Sequence, residues 1–181
     1  MPATGVGAPG GAGVARAGNL YPPVGLGGAM PEGNVERTLA LVKPDGVRRG
    51  LVGEVLTRFE RKGLKIVAAK MVRVTPELAE RHYAEHQGKP FYHGLVQHIT
   101  SGPVLALALE GRSAISVVRL LTGATNPQTA APGTIRGDFA LAVTPNILHA
   151  SDSPASAERE LALYFRPEEY VSYSRVAEEY F

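Results

Sequence analysis

Two short, nearly unbroken apolar runs, residues 38–42 (TLALV) and 103–109 (PVLALAL), constrain this chain more than any other feature. A strand with one face in water alternates apolar and polar side chains, and these runs leave no polar face to expose. Both therefore read as strands buried on two sides, the second as a central strand of its sheet. Lys43 and Pro44 close the first run.

Helical and extended patterns fill the sequence between and after them. Val52, Val55, Leu56 and Phe59 repeat as one face of a helix that Gly63 can end. Residues 64–74 read as a strand. Thr75, Pro76 and Glu77 form a helix start, with proline at the first position where its missing N–H costs nothing. That helix is expected to carry Tyr83 and stop near Gly88, and Pro90 to open another short one. Ala114, Val117, Val118 and Leu121 make the next stripe. A Gly, Pro and Thr-rich stretch over residues 123–137 follows, a length at which loops in compact domains are usually functional. Residues 139–143 read as the last strand. Ser153 and Pro154 then start a helix with Ala157, Leu161, Tyr164 and Phe165 on its face. This order predicts an α+β, ferredoxin-like βαββαβ fold: a four-stranded antiparallel sheet covered by helices, with a long functional loop before the last strand.

Residues 1–33 are a different material, rich in Gly and Ala, with Arg16 and Glu32 as the charged side chains. Such a segment buries too little apolar surface to offset its chain entropy, so a flexible tail is expected there and a folded domain over residues 34–181. Its Gly5, Gly7 and Gly10 match GxGxxG, but no strand precedes them and Pro9 interrupts; a nucleotide fingerprint needs both contexts. Met30 stands just before the patterned sequence as an alternative start. With no cysteine, the chain has no disulfide, thiolate metal site or cysteine nucleophile. A net charge of +2 falls short of a dedicated nucleic-acid binder, so nucleic acid is not expected as the main partner. No segment reads as a membrane span or a secretory signal, which predicts a soluble, cytoplasmic protein.

The chemistry concentrates in residues 146–153, NILHASDS, downstream of PGTIRGD at 132–138. His149 stands among Ala150, Ser151 and Ser153, which leave the ring uncrowded, and beside Asn146, which donates and accepts hydrogen bonds. An imidazole is neutral in a useful fraction near pH 7 and serves as nucleophile or base without a strong activator. Phosphoryl transfer asks for a positioned acceptor, cations around the phosphate oxygens and usually a magnesium ion. Lys43 at a strand end, Arg119 beside a helical stripe, and Thr125 and Arg136 around the long loop supply candidates, with no Walker loop in the chain.

Four stretches, ERTLALVKPDGVRRGLVGEV, KPFYHGLVQHITSGPV, GATNPQTAAPGTIRGDFA and NILHASDS, make residues 36–181 closely resemble the nucleoside diphosphate kinases. The resemblance implies ping-pong exchange between nucleoside triphosphates and diphosphates, with Mg2+, through a phosphohistidine at His149. It makes Lys43 and Asn146 contacts of the sugar, Lys43 also of the phosphates, and Tyr83, Arg119, Thr125 and Arg136 phosphate-binding residues. Phe91 would stack on the base, with Leu95 and Val143 as apolar contacts, and Glu160 would orient His149. Asp152 is a candidate for the metal, whose ligands the resemblance leaves unknown. The long C-terminal segment resembles the hexamer-forming members, which implies a homohexamer, with a tetramer as the alternative. Ala150 departs from the pattern, since many members carry glycine there; a methyl is tolerated if the φ of that residue is negative.

Two other readings carry less of the sequence. His82, Glu85 and His86 spell HxxEH, which on a continuous helix would set two imidazoles on one face for zinc hydrolysis. It lacks a third ligand, and His93 and His98 read as surface or partly packed side chains. A silent relative that keeps only the fold would show gaps among Lys43, Tyr83, Arg119, Thr125, Arg136, Asn146, His149 and Glu160, and none is present.

Overall fold

A computed structural model of the protein describes residues 35–175. The tail expected over residues 1–33, the alternative start at Met30 and the end of the C-terminal segment lie outside the described residues. The elements are β1 (Val35–Val42), α1 (Pro44–Arg48), α2 (Val52–Arg61), β2 (Lys65–Arg73), α3 (Pro76–His82), α4 (Tyr92–Thr100), β3 (Pro103–Arg112), α5 (Ala114–Thr122), α6 (Ile135–Phe139), β4 (Leu148–Ala150) and α7 (Pro154–Tyr164). Short 3-10 turns occupy Ala84–His86, Pro127–Thr129 and Pro167–Glu169.

The strands form one antiparallel sheet in the order β2-β3-β1-β4, so the two apolar runs are its interior strands. Alternation along them divides the core in two. Ala40, Val42, Leu105, Leu107 and Leu109 pack on one face with Val55 and Phe59 of α2 and Ala114 and Val118 of α5. Leu39, Leu41, Val104, Ala106 and Ala108 pack on the other with Ala79 of α3, Ile99 of α4, and Leu161 and Tyr164 of α7. The chain is thus the expected α+β sandwich of a ferredoxin-like sheet between helical layers. Among the described residues no helix is long and apolar enough to cross a membrane.

Local chemistry sets the element ends. After α2, the Gly63 amide donates to the Glu60 carbonyl and the Leu64 amide to that of Phe59, a Schellman closure. Gly63 takes φ 94°, where a side chain would be strained. The Thr75 hydroxyl caps α3 by accepting from the Leu78 amide at 3.2 Å.

The structure corrects three details of the sequence reading. Residues 139–143 are not the last strand: Phe139 ends α6, and the strand is Leu148–Ala150. The apolar pattern misled because Leu141 and Val143 are 85% and 51% exposed rather than turned into a core. Part of the loop predicted over 123–137 is helical, since Thr134 accepts from the Gly137 amide at 3.1 Å and starts α6. Tyr83 caps α3 rather than continuing it, and a 3-10 turn follows.

Phe59 is fully buried where α2 meets the sheet. Phe59→Ala should cost about 3–5 kcal/mol, the sum of lost transfer energy and the cavity left behind. Urea denaturation of the variant checks this; a loss under about 1 kcal/mol would mean that the helix repacks freely.

Candidate active site

Three residues of β4 settle where the imidazole goes. Leu148 and Ala150 are buried in the α2/α5 core, so alternation turns His149 to the opposite face, toward α7 and α3. There Glu160, one of the buried residues of α7, accepts from the His149 ring: Nε2 to Oε2 is 2.8 Å. The Ser151 hydroxyl donates to the same oxygen at 2.7 Å. Burial alone would raise the Glu160 pKa, but the hydrogen bond and charge of His149, with His82 and Ser151, hold it below the usual carboxylate range. An ionised carboxylate only accepts, so Nε2 carries the proton and Nδ1 of the neutral ring keeps the lone pair.

His149 lines a cavity of about 470 Å³, and so does each of the other site residues expected from the sequence. Lys43, at the end of β1, is 5% exposed and donates from Nζ to Asn146 Oδ1, while Asn146 Nδ2 donates to the Thr125 carbonyl at 3.0 Å. Arg136, at the start of α6, donates to the carbonyls of Gly123 (3.0 Å), Leu148 (2.7 Å) and Asn146 (3.4 Å). Those three bonds leave two of its five N–H groups for a ligand. Arg119 reaches from α5 to the Ala150 carbonyl at 3.5 Å. Tyr83 is buried at the end of α3, and its burial and the Glu160 charge push its hydroxyl pKa up, keeping it a neutral donor. Phe91, 54% exposed, stands with Leu95 and Val143 as the apolar part of the lining. Asp152 lines the wall too, its carboxylate held below the ordinary range chiefly by Ser156, with burial opposing and Ser153 assisting.

Several contributors were not singled out by sequence reasoning. Asp45 Oδ2 accepts from the Ile147 amide at 2.8 Å, and its Oδ1 meets His98 Nε2 at 2.9 Å. Ile147 has φ 71°, a left-handed backbone that a β-branched residue resists at a cost of about 1–3 kcal/mol. Asp45 and the Lys43 amide, which donates to the Ile147 carbonyl at 2.7 Å, hold that bend. Asp45 was visible as part of KPDG, but nothing local tied it to a residue a hundred positions away. Gly137 is needed for space: a Cβ there would collide with the Ala131 carbonyl. Arg159 pairs with Glu85 at 2.9 Å and lies 3.6 Å from Glu160.

The HxxEH reading fails on geometry. α3 ends at His82, and a 3-10 turn carries His86 away to stack on Tyr83 and meet Lys89. The departure at Ala150 is harmless to the backbone: it lies in β4, outside the positive-φ residues, with its methyl in the core.

An imidazole with one nitrogen fixed by a carboxylate, facing a cavity ringed with Lys and Arg, defines a phosphotransferase class of site. The comparisons with known proteins agree. Residues 36–170 match the family model described as nucleoside diphosphate kinase. The nucleoside diphosphate kinase of Moorella thermoacetica is 65% identical over 135 residues, 75% of this chain and 97% of that one. That of Archaeoglobus fulgidus is 62% identical over 146 residues, 81% of this chain and 97% of that one. Among solved structures, the Halobacterium salinarum enzyme in complex with CDP aligns with TM-score 0.79 and 52% identity, covering 81% of this chain and 98% of that one. The Borrelia burgdorferi enzyme, a transition-state mimic with vanadate and ADP, aligns with TM-score 0.75 and 43% identity, covering 80% and 95%. The chain belongs to the nucleoside diphosphate kinase family.

Burial lowers the pKa of Lys43 from 10.5 to about 8, with Asp45 opposing and the Arg136 charge adding to the fall. Between those values the unfolded chain holds a proton that the folded one has shed, so this group's contribution to stability rises with pH across the window. An anionic ligand beside Lys43 restores the charge. Nucleotide binding near pH 9 should therefore take up a proton, and affinity should fall as pH rises above about 8. Calorimetry in buffers of different ionisation enthalpy measures the uptake; none at pH 9 would mean that Lys43 does not face the phosphates.

Proposed function

We propose that the protein exchanges the γ-phosphate between nucleoside triphosphates and diphosphates through a phosphohistidine at His149. The Glu160–His149 hydrogen bond carries this reading, because it leaves Nδ1 as the free lone pair in a cation-lined cavity. Nδ1 attacks the γ-phosphorus as the bond to the β-phosphate oxygen breaks, and the nucleoside diphosphate leaves. The ring gains positive charge as the N–P bond forms, and the Glu160 carboxylate, already ionised, stabilises it without moving a proton. A second diphosphate attacks the phosphorus, and the ring returns to its neutral state.

Lys43, Arg119 and Arg136 would balance charge on the phosphate oxygens, with Tyr83 and Thr125 as neutral partners. Lys43 and Asn146 would meet the sugar. Phe91, with Leu95 and Val143, would stack on the base without reading its edges, which suits both purines and pyrimidines. Such ions take most ligands from phosphate oxygens and one or two carboxylates, and Asp152 is an exposed carboxylate in the right wall, so the donor set fits Mg2+. When bound, the ion would neutralise charge on the triphosphate. In this reading residues 34–181 are the catalytic domain, residues 1–33 an appended tail, and the protein a cytoplasmic homohexamer; sedimentation would separate hexamer from tetramer.

With γ-labelled ATP and Mg2+ but no acceptor, the protein should acquire an acid-labile, base-stable label that a nucleoside diphosphate removes, and His149→Ala should acquire none. Label on that variant would place the acceptor elsewhere. Glu160→Ala should lower kcat on the order of 10²-fold with a smaller change in KM, because it frees the ring rather than the nucleotide. Steady-state kinetics on two nucleotides checks the split; a rise confined to KM would contradict the orienting role.

A further inference from the structure

His82 is the anomaly next to the nucleophile. It is 2% exposed, and neither ring nitrogen has a hydrogen-bond partner. A buried imidazole in that state forgoes the hydrogen bonds it would make to water when unfolded. Its neighbours are rings set edge-on: His149 at 4.4 Å, Tyr83 at 4.6 Å and Tyr164 at 5.5 Å between centroids. Ring faces can receive an N–H, but they give nothing to a nitrogen lone pair. Burial, reinforced by the charge of His149, keeps the ring neutral, with Glu160 opposing. A neutral, unpartnered nitrogen is the form that ligates metals.

One donor atom each from His82, His149 and Glu160 lies within 4.8 Å of the other two. We propose that these three residues form a binding site for zinc or a similar d-block dication, and that its occupation silences His149. Two imidazoles and a carboxylate are a zinc donor set, with the fourth position left to solvent in the cavity. Zinc bonds of about 2.0–2.2 Å set tetrahedral ligands roughly 3.3–3.5 Å apart, so the rings must close by a little over an ångström. His149 lies on the cavity wall, with 23% of its side chain exposed. Magnesium is not the occupant here, because it prefers oxygen ligands.

Competing ligands are few. The chain has no cysteine. Of its other imidazoles, His98 is engaged by Asp45 and His86 by Lys89, while His93 stands on the surface. Lys43, Arg119, Arg136 and Arg159 face the same cavity and oppose a dication. Their repulsion makes the site reversible and inhibitory rather than structural. Zinc held by Glu160 takes His149 through Nε2, the nitrogen facing that carboxylate; the displaced proton passes to Nδ1 and ties up the lone pair that would attack phosphorus, so bound metal and phosphoryl transfer exclude each other there. The silencing rests on His149 being the nucleophile; the binding itself does not.

The test uses the full chain, stripped of metal, and three readouts. Calorimetry with Zn2+ alone should show one site, and Co2+ in its place should give the visible bands of a tetrahedral complex. The rate of phosphohistidine formation from γ-labelled ATP should fall as Zn2+ fills that site. His82→Phe keeps a ring edge-on to its neighbours but removes both donors, so Zn2+ binding and inhibition should weaken together by about tenfold or more, each relative to the variant's own metal-free rate. Circular dichroism checks that the variant is folded. His86→Ala should leave Zn2+ affinity unchanged. Equal Zn2+ affinity in wild type and folded His82→Phe, or its loss in His86→Ala, would overturn the site. Zinc bound at full occupancy with labelling undiminished would overturn the silencing. If no label forms even without Zn2+, the phosphohistidine reading fails instead, and the calorimetry still decides the site.

Discussion

The structure turns on the alternation of a three-residue strand. β4 pairs with β1 through Leu148, His149 and Ala150, opposite Val42, Leu41 and Ala40. Leu148 and Ala150 commit to the α2/α5 core, and that commitment drives His149 to the other face. A slip of one residue would bury the imidazole among aliphatic groups and expose two apolar ones, so core packing itself enforces the register. The Glu160 carboxylate that meets the imidazole comes from α7, which packs on the face that His149 must occupy. The His149–Glu160 geometry is thus a by-product of the hydrophobic division of the sheet.

Holding so short a strand in place requires strain just before it. Ile147 sits in a left-handed conformation that its branched side chain disfavours, and it is fully buried. Asp45 repays part of that cost by accepting from the Ile147 amide, and His98 braces Asp45 from α4. Lys43 and Arg136 add a second cost, because both are buried cations whose pKa values burial depresses. Carbonyl oxygens around Arg136 and the Asn146 amide oxygen on Lys43 lessen it. The site is therefore preorganised for negative charge before any arrives, and its charges need little rearrangement when it does.

Much of this was legible in the sequence, for reasons that differ between residues. The two-sided burial of β1 and β3 could be read because a continuous apolar run has no other stable use in a mixed fold. Caps such as Thr75 and Ser153 could be read because their chemistry is local. Residues 139–143 misled because the same apolar composition serves a core strand and an exposed cavity lip, and only the partner surface distinguishes them. The site residues were found through resemblance more than through spacing: Lys43, Tyr83, Arg119 and His149 lie on different elements, and no local pattern predicts that they share a cavity. His82 was noticed for the wrong reason, as a partner of His86. A regular helix would pair residues i and i+4, but α3 ends at His82 and the periodicity ends with it.

That misassignment points to a general tension at this site. The features that suit His149 to the nucleophile's role in the proposed exchange are an ionised carboxylate on one nitrogen, a lone pair on the other and partial access to a cavity. An accessible imidazole beside an ionised carboxylate is also part of a zinc donor set. A site of this kind needs something to keep dications other than the substrate's own off the ring. The cations around the cavity do so electrostatically, and they attract phosphate by the same field. His82 works against that protection, since it adds a neutral donor with no other partner within 4.4 Å, centroid to centroid, of the reactive ring. Selectivity between phosphate and metal then depends on the balance between four positive side chains and one unsatisfied imidazole.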